Sequence, residues 1–278
     1  MSRDFFELAR SSWNAGCFVC VGLDIDLSKI PPGITGDAEA QAYNFACAVV
    51  DATAGLAGAY KPNTAFYEAF GGSGPRVLRD IIRHIHQVAP ATPVIVDAKR
   101  ADIASSNAGT VTFLFEFLRA DATTVHPYLG HEALRPFLNQ QDKGIFVLCR
   151  TSNPGAGELQ DVNVGGEPLF LHVASLVARA WNGNSNCGLV VGATYPRELL
   201  TIRSRFSELP LLIPGVGAQG GDMEATIRAL HGHSALQVFI NASRSVLYAA
   251  QDEHFEDAAH SAVAKMNLEI EDVLSALS

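Results

Sequence analysis

The stretch Pro93-Val94-Ile95-Val96-Asp97-Ala98-Lys99 begins as an apolar, β-branched run and ends in two charged residues two positions apart. Such runs alternate with longer amphipathic stretches along the chain, a pattern typical of β-α-β units in a parallel sheet. We predict that the apolar run is one of eight strands. They lie at Cys17 to Leu23, Gly58 to Lys61, Pro93 to Ala98, Ala122 to Val125, Gly144 to Cys149, Cys187 to Val191, Leu211 to Ile213 and Gln237 to Ile240.

Five amphipathic stretches between or after these runs are predicted helices. They lie at Asp37 to Leu56, Arg76 to Val88, Leu169 to Trp181, Met223 to Leu230 and Phe255 to Leu277. Eight strands that alternate with helices match an α/β fold of the (β/α)8 TIM-barrel type better than an open doubly wound sheet. No internal repeat, low-complexity tract or Pro/Ser-rich linker interrupts the 278 residues. We therefore expect a single barrel domain over residues 1–278.

The composition restricts the partners of this chain. The formal net charge is -9, whereas proteins that bind nucleic acid present clustered Lys and Arg to the phosphates. A small anionic ligand stays compatible with this charge, because only the local cations of a pocket decide its binding. With 48% hydrophobic and 18% charged residues, the chain has the material for a large buried core. We expect a globular protein that binds a small molecule and no nucleic acid.

The start of the chain and its cysteines bear on where the protein works. The stretch Met1 to Glu7 contains acidic residues where a signal peptide needs an apolar run, and no later run approaches about 18 apolar residues. The five cysteines are odd in number and lie mostly in apolar runs, as reduced buried thiols do. We expect a cytoplasmic protein that does not insert into membranes.

Four charged residues are the main candidates for a reactive site. Because side chains alternate along a strand, Asp97 and Lys99 should point to one face, near the mouth of the barrel. A structural ion pair is the simplest interpretation of two such charges. Lys61 at the end of the second strand and Asp102 after the third add a second cation and a second anion. An alternating array of this kind favours a functional site.

A glycine-rich loop after the seventh strand is the second candidate site. The loop Pro214 to Gly221 lets backbone N–H groups approach an anion, and Arg244 follows the eighth strand. Barrels often hold phosphate between these two loops, although the glycines alone would also suit a tight turn. Gly215 to Gly220 also spells the G-x-G-x-x-G of dinucleotide folds, but the required acid is absent from Phe239 to Ser243. We predict a phosphate site.

These motifs, taken together, resemble those of the orotidine 5′-phosphate decarboxylase family. The match is most specific at Asp97-Ala98-Lys99-Arg100-Ala101-Asp102-Ile103, and Gly22 to Asp24 and Tyr60 to Asn63 are similar to other family motifs. The segments Pro127 to Gly130 and Thr151 to Gly155 resemble the longer bacterial branch. The resemblance extends over nearly all of the predicted barrel.

The resemblance implies the loss of CO2 from orotidine 5′-monophosphate (OMP) to give UMP, without metal or cofactor. Lys61, Asp97, Lys99 and Asp102 match the catalytic array of the family, with Lys99 as the proton donor to C6. The residues that match substrate-binding positions are Asp24, Ile103, Ser106, Ser152, Asn153, Pro214, Gln219, Gly220 and Arg244. Among them Gln219 would bridge phosphate and base. Ser152 would contact the pyrimidine, although the choice among residues 151–153 stays open.

The resemblance also implies a homodimer with shared active sites, since the family's second aspartate and following isoleucine reach into the neighbouring subunit's site. Asp102 and Ile103 occupy those positions. The sequence departs from the family pattern at Ser106, where threonine is commoner, and at Ala101, where the longer branch often has glycine. Neither departure removes a hydroxyl or a charge from the predicted site.

Two other functions fit parts of the pattern. Related metal-dependent sugar-phosphate decarboxylases and aldolases carry the same Asp-x-Lys-x-x-Asp element and stabilise an enediolate with Mg²⁺. A silent barrel that only binds a nucleotide would keep the phosphate loop. The Asp102-Ile103 pair and the loop around Gln219 favour the nucleotide decarboxylase over the first, and Lys99 favours an enzyme over the second.

Overall fold

The computed structural model describes residues 3–216, 220–232 and 236–277. In this part of the chain the strands are β1 Val19–Gly22, β2 Ala59–Lys61, β3 Ile95–Arg100, β4 Ala122–Val125, β5 Gly144–Arg150, β6 Asn163–Val164, β7 Glu167–Pro168, β8 Cys187–Val191, β9 Leu211–Pro214 and β10 Val238–Ala242. The α-helices are α1 Phe5–Asn14, α2 Ala38–Thr53, α3 Thr64–Glu68, α4 Gly74–Val88, α5 Ala104–Val111, α6 Gly130–Leu138, α7 Gly157–Gln160, α8 Leu169–Leu176, α9 Pro196–Arg205, α10 Met223–Leu230, α11 Arg244–Leu247 and α12 Phe255–Leu277.

Eight of the strands form one parallel sheet that closes into a barrel. The order is β2-β1-β10-β9-β8-β5-β4-β3, and every pairing in it is parallel. The two end strands of this order meet through parallel bridges between Tyr60 and Val94 and between Asn63 and Asp97. The predicted (β/α)8 TIM barrel is therefore confirmed. The short strands β6 and β7 form a separate antiparallel hairpin between β5 and α8.

The helices differ more from the sequence prediction than the strands do. All eight predicted strands are present, β4 and β8 with the predicted ends and the others with shifted ends. Helices α2, α8, α10 and α12 fall within the predicted helical stretches, and α4 begins at Gly74, before the predicted start at Arg76. After α8 the chain continues as a π-helix over Val177–Trp181, so that the predicted helix changes its hydrogen bonding midway. The short helices α3, α7 and α11 were not predicted, because four or five residues are too few to show a 3.6-residue period. Among the described residues, no helix is both long and apolar enough to cross a lipid bilayer.

Helix α1 closes the end of the barrel at which the strands begin. The helix starts after Asp4, whose carboxylate accepts the backbone N–H of Glu7. Phe5 is fully buried, and its ring lies edge-on to Phe146 with 5.6 Å between the centroids. A Cβ on Gly144, the first residue of β5, would lie 2.5 Å from the Phe5 ring. The glycine therefore leaves the space that the phenylalanine fills at this end of the barrel.

We expect the substitution Phe5→Ala to lower the free energy of unfolding by about 3–5 kcal/mol, because it leaves a cavity under the barrel. Chemical denaturation monitored by circular dichroism measures the change. The matched control is Leu268→Ala on α12, where the side chain is 60% exposed and its loss should change stability by less than about 0.5 kcal/mol. Equal effects of the two substitutions would contradict this role of α1.

A buried carboxylate fastens the chain before α1 to the same end of the barrel. The Arg3 guanidinium donates from Nε and Nη2 to the two oxygens of Asp121, each at 2.9 Å. The backbone N–H of Val94 also donates to Asp121 at 2.9 Å. Burial would raise the pKa of Asp121, but the nearby His86 imidazole, the hydrogen bonds from Arg3 and the Arg3 charge hold it below its usual value. The ionised Asp121 thus joins three segments of the chain.

Candidate active site

A cleft of about 800 Å³ opens at the end of the barrel at which the parallel strands finish. This is the end at which barrel enzymes carry their active sites. Eight of the residues predicted from the sequence contribute to its lining, and they come from six different strands or the loops after them. They are Asp24, Lys61, Asp97, Lys99, Ser152, Asn153, Pro214 and Arg244.

Asp97 lies between two lysines on the floor of this cleft. Its side chain is 10% exposed, and its Oδ2 accepts hydrogen bonds from Lys99 Nζ at 2.6 Å and Lys61 Nζ at 3.2 Å. Its other oxygen, Oδ1, accepts the hydroxyl of Thr124 at 2.7 Å. Both carboxylate oxygens are therefore paired, and the two ammonium groups converge on one atom.

The charges of this cluster stabilise one another. Burial would lower the pKa of Lys61, but the negative charges of Asp97 and Asp24 outweigh burial and raise that pKa above the usual lysine value. Burial would likewise raise the pKa of Asp97, but the charges of Lys61 and Lys99 and the hydrogen bonds from Lys99 and Thr124 hold it well below its usual range. Lys61 is therefore a buried cation and Asp97 a buried anion at neutral pH.

Lys99 reaches the cluster from an unusual backbone conformation. Its φ angle is +47°, in the left-handed region that costs a non-glycine residue about 1 kcal/mol or more. The pairing of β3 with β4 shifts register between Val96 and Arg100, which differs from the regular alternation predicted for this strand. The backbone N–H of Lys99 donates to Thr124 Oγ1 at 2.9 Å, and this bond holds the irregular turn. Asp97 and Lys99 meet through a bulge, and the Lys99 side chain stays 47% exposed to the cleft.

A second polar group lies between the ends of β1 and β10. Ser243 Oγ donates to Asp24 Oδ2 at 2.8 Å. A Cβ on Gly22 would lie 1.9 Å from that hydroxyl, so only glycine allows this approach. Asp24 Oδ1 and Asn241 Oδ1 are buried and have no hydrogen-bond partner in the described part of the chain. Two unpaired acceptors beside a cleft suit a ligand that carries hydroxyl groups.

The loop after β5 supplies Thr151, Ser152 and Asn153 to the opposite wall. It packs directly on the end of β8, where a Cβ on Gly192 would lie 2.9 Å from the Ser152 Cβ. The backbone N–H of Gly192 donates to the Arg150 carbonyl at 2.7 Å. The strand ends therefore hold this loop closely against the barrel.

The two ends of the predicted phosphate loop, Gly215 and Gly221, lie next to each other beside the cleft. Gly215 has a φ of +98°, and its carbonyl accepts the backbone N–H of Gly221 at 3.0 Å. A Cβ on Gly221 would lie 2.6 Å from the same carbonyl, so glycine is needed for the loop to close. Pro214 and Arg244 line the cleft on either side, and Arg244 begins α11 directly after β10. Gln219 lies outside the described residues.

Four predicted residues lie apart from the cleft within one chain. Ile103 is 59% exposed, and Asp102 and Ser106 are also exposed. The Asp102 carboxylate accepts the backbone N–H of Ile103 at 2.6 Å, and among the described contacts it makes none with Lys61 or Lys99. Gly220, exposed and with a φ of +86°, is likewise absent from the lining. The cleft of a single chain thus contains Lys61, Asp97 and Lys99 of the predicted array, but not Asp102.

The cleft contains polar residues that were not predicted from the sequence. Thr124 lies in the predicted strand Ala122 to Val125 beside a second threonine, Thr123, so the strand pattern did not single it out. Gln160 belongs to the unpredicted helix α7, and no pattern in the sequence pointed to it. Asn241, in β10, and Ser243 closely precede Arg244, but the phosphate site predicted at Arg244 did not extend to them.

One rim of the cleft is held by Tyr248. Its hydroxyl accepts the backbone N–H of Asp26 at 2.6 Å, and burial raises the pKa of Tyr248 to about 12. Lys29 pairs with Asp26 at 2.8 Å, and hydrogen bonds from Lys29 and Ser28 lower the pKa of Asp26 to about 2. These contacts fix the loop after β1 over the polar group of Asp24.

Comparison with known proteins identifies the family. Residues 18–257 match the model of the orotidine 5′-phosphate decarboxylase / HUMPS family. The chain is 49% identical over 242 residues to the orotidine 5′-phosphate decarboxylase of Herpetosiphon aurantiacus, covering 87% of this chain and 88% of the relative. It is 44% identical over 276 residues to that of Roseiflexus castenholzii, covering 99% and 100%. The structure of Leishmania donovani OMP decarboxylase superposes with a TM-score of 0.86 at 36% identity, covering 98% of this chain and 99% of that one. The chain therefore belongs to the orotidine 5′-phosphate decarboxylase / HUMPS family.

Proposed function

We propose that this chain decarboxylates OMP to UMP and CO2 without a metal ion or an organic cofactor. The observation that carries the proposal is the buried carboxylate of Asp97 between the ammonium groups of Lys61 and Lys99 at the mouth of the barrel. Family membership and the cleft that these groups line support the same reaction.

The reaction needs positive charge at one carbon atom. When the bond between C6 and the carboxylate breaks, CO2 leaves and its bonding electron pair stays on C6. No group of the pyrimidine ring delocalises that pair, so a fixed cation must stabilise it. Lys99, whose ammonium is partly exposed to the cleft, would face C6 and then donate its proton there. Solvent protons restore the ammonium after the product leaves.

The other members of the cluster position Lys99 and the substrate. Asp97 holds the Lys99 ammonium and would lie beside the departing carboxylate, where like charges crowd each other. Lys61 holds Asp97 from the other side and would reach a ribose hydroxyl. Asp24, with one oxygen unpaired among the described residues, would accept a hydrogen bond from the ribose. These bonds fix the sugar so that C6 meets Lys99.

The phosphate would bind at the far end of the cleft, between Arg244 and the loop that closes at Gly215 and Gly221. Arg244 offers a forked donor that suits phosphate oxygens. Gln219 and Gly220 belong to this loop and would complete the grip, with Gln219 extending to the base. Binding energy from the phosphate would support catalysis at the distant carbon.

We also propose that the active unit is a homodimer in which Asp102 and Ile103 serve the neighbouring subunit's site. Both side chains are exposed, and Asp102 stays outside the cleft of its own chain. Tyr128 and Leu129, after the adjacent strand β4, are 79% and 43% exposed. Exposed apolar side chains after neighbouring strands suit a contact with a second copy.

A single domain over residues 1–278 and a cytoplasmic location complete the proposal. One cluster of buried apolar residues extends from Phe5 to Ile270 and supports the single domain. All five cysteines are free, four of them buried, as expected of a chain in a reducing compartment.

We expect OMP decarboxylation to survive an excess of EDTA, with less than about a twofold change in kcat/KM, because the proposed charge stabilisation comes from lysine. In the described residues no group of three His, Cys, Asp or Glu side chains is placed to hold a metal. The oxygens of Asp97 are already paired with Lys61, Lys99 and Thr124. The loss of OMP absorbance is followed before and after chelation.

The same assay separates the two alternatives. Activity that is lost in EDTA and returns with Mg²⁺ would favour a metal-dependent relative. Tight UMP binding with no turnover of OMP by the wild-type protein would favour a silent nucleotide-binding barrel and refute the proposal.

A further inference from the structure

One threonine hydroxyl on β4 joins the two charged residues at the end of β3. The Thr124 hydroxyl donates to Asp97 Oδ1 at 2.7 Å, and its oxygen accepts the backbone N–H of Lys99 at 2.9 Å. The side chain is 1% exposed and forms part of the wall of the cleft. A single buried oxygen atom therefore contacts both Asp97 and Lys99.

The chemistry of the three groups fixes the direction of these two bonds. A backbone N–H can only donate, so the Thr124 oxygen is the acceptor for Lys99. In spite of burial, the charges of the two lysines hold the pKa of Asp97 well below its usual range. An ionised carboxylate can only accept, so the single proton of the hydroxyl goes to Asp97 Oδ1. Thr124 thus uses its donor and one acceptor site on these two residues.

The irregular pairing of β3 with β4 explains why a side chain is needed at this point. Where the register shifts, β3 advances four residues, from 96 to 100, while β4 advances two, from 123 to 125. The extra residues of a bulge are left out of the regular ladder of backbone hydrogen bonds. Lys99 is one of them, and its N–H donates to the Thr124 side chain instead of a backbone carbonyl. The hydroxyl therefore ties the left-handed Lys99 backbone to β4.

Thr124 and the two lysines bind opposite oxygens of Asp97. Oδ1 accepts the Thr124 hydroxyl, and Oδ2 accepts the ammonium groups of Lys99 at 2.6 Å and Lys61 at 3.2 Å. The terminal torsion of an aspartate is broad, so a carboxylate that is bonded through one oxygen alone is free to rotate. The Thr124 bond removes this freedom. It therefore fixes the point at which the Lys99 ammonium is held.

We propose that Thr124 is a positioning residue for the decarboxylation, because its hydroxyl fixes the Asp97 carboxylate and the Lys99 backbone together and so keeps the Lys99 ammonium opposite C6. Thr124 acts through these two residues and gives no proton to the substrate. The inference rests on the proposed function and deepens it by adding an uncharged residue of β4 to the charged array. A misplacement of about 1 Å in a reacting group can lower a rate by about 10²-fold.

The substitution Thr124→Val tests the inference, since it keeps the shape of the side chain and removes the hydroxyl. Asp97 Oδ1 and the Lys99 N–H then lose their shared partner. We expect kcat for OMP decarboxylation to fall by about 30- to 100-fold, while KM and the dissociation constant of UMP change by less than about threefold. Thr124→Ser restores the hydroxyl without the methyl group that restricts its rotation, and kcat should return to within about fivefold of wild type.

Thr123→Val is the matched control. Thr123 precedes Thr124 on β4, is also buried, and donates its hydroxyl to the Val96 carbonyl at 2.9 Å. Each valine substitution removes one buried hydroxyl that bonds β4 to β3, so thermal melts should report similar losses of stability. Thr123 is absent from the lining of the cleft. Because side chains alternate along a strand, it faces away from the substrate, and kcat should stay within about twofold of wild type.

Rates from the loss of OMP absorbance and UMP binding by calorimetry separate the outcomes. A fall in kcat that is confined to Thr124→Val and reversed in Thr124→Ser supports the inference. Equal kcat values in Thr124→Val and Thr123→Val would overturn it, and so would a loss of activity that comes from a raised KM and weaker UMP binding.

A second pair of variants covers the case in which Thr124→Val does not fold. Thr124→Ala and Thr124→Ser both lack the methyl group and differ only in the hydroxyl, so equal kcat values in this pair would also overturn the positioning role. These failures appear with an active wild type. A wild-type protein that binds UMP without decarboxylating OMP would instead overturn the proposed function, and this inference with it.

Discussion

Replacing Lys99 by alanine is expected to lower kcat for OMP decarboxylation by at least about 10⁴-fold. Two contributions are lost together: the fixed positive charge beside C6 and the proton that C6 receives. Each is worth about 10²–10³-fold or more in enzymes where it has been removed singly. The Asp97 carboxylate keeps its bonds to Lys61 and Thr124 in the variant, so the floor of the cleft stays paired.

The decrease in OMP absorbance gives the rate, and UMP binding by calorimetry shows whether the cleft is intact. Lys265→Ala, an exposed lysine on α12, serves as the control for loss of one positive charge and should keep wild-type activity. A Lys99→Ala protein that retains more than about 1% of wild-type kcat would rule out Lys99 as the proton donor. The side chain is 47% exposed, so the fold should tolerate its removal.

Asp102→Ala should also lose activity, by about a hundredfold or more, although Asp102 lies outside the cleft of its own chain. If Asp102 serves the neighbouring subunit, mixing the inactive Lys99→Ala and Asp102→Ala proteins should restore activity. Random exchange makes half of the dimers mixed, and each mixed dimer has one site with native Lys99 and native Asp102. About one quarter of the wild-type activity per site should return.

The matched control is a mixture of Lys99→Ala and Lys61→Ala. Lys61 and Lys99 contact the same Asp97 oxygen within one chain, so every site in that mixture lacks one of them and no activity should return. Mass spectrometry or tagged subunits verify that mixed dimers form. Verified mixed dimers of the first pair with no recovery would refute the shared site.

The barrel could be predicted from sequence because each of its strands is visible as a local pattern of residue types. Each buried strand of a parallel barrel is a short apolar run, and the eight runs appear in the structure as the eight barrel strands. Helices α2, α4, α8, α10 and α12 were predicted from their amphipathic pattern. Helix α1 and the short helix α7 were not predicted, because their places depend on what they pack against, as with Phe5 under the barrel and Gln160 beside Thr151 in the cleft wall.

The charged cluster was predictable in its members and less so in its geometry. Alternation along a strand suggested that Asp97 and Lys99 share a face. The structure brings them together through a bulge and a left-handed Lys99 that bonds to Thr124. A register shift depends on the pairing with the neighbouring strand, so it cannot be predicted from the sequence pattern of one strand. The partner hydroxyl of Thr124 was missed for the same reason.

The sequence by itself determined the barrel, the family motifs and three charged residues that meet in one cleft, because these follow from local periodicity and from residue types at fixed spacing. Only the tertiary structure decided which oxygen of Asp97 each lysine contacts, that Asp102 is absent from its own chain's cleft, and that Gln160 bonds to Thr151 in the cleft wall. Such arrangements join residues that are distant in sequence, and hydrogen-bond direction depends on which donors and acceptors the fold places together.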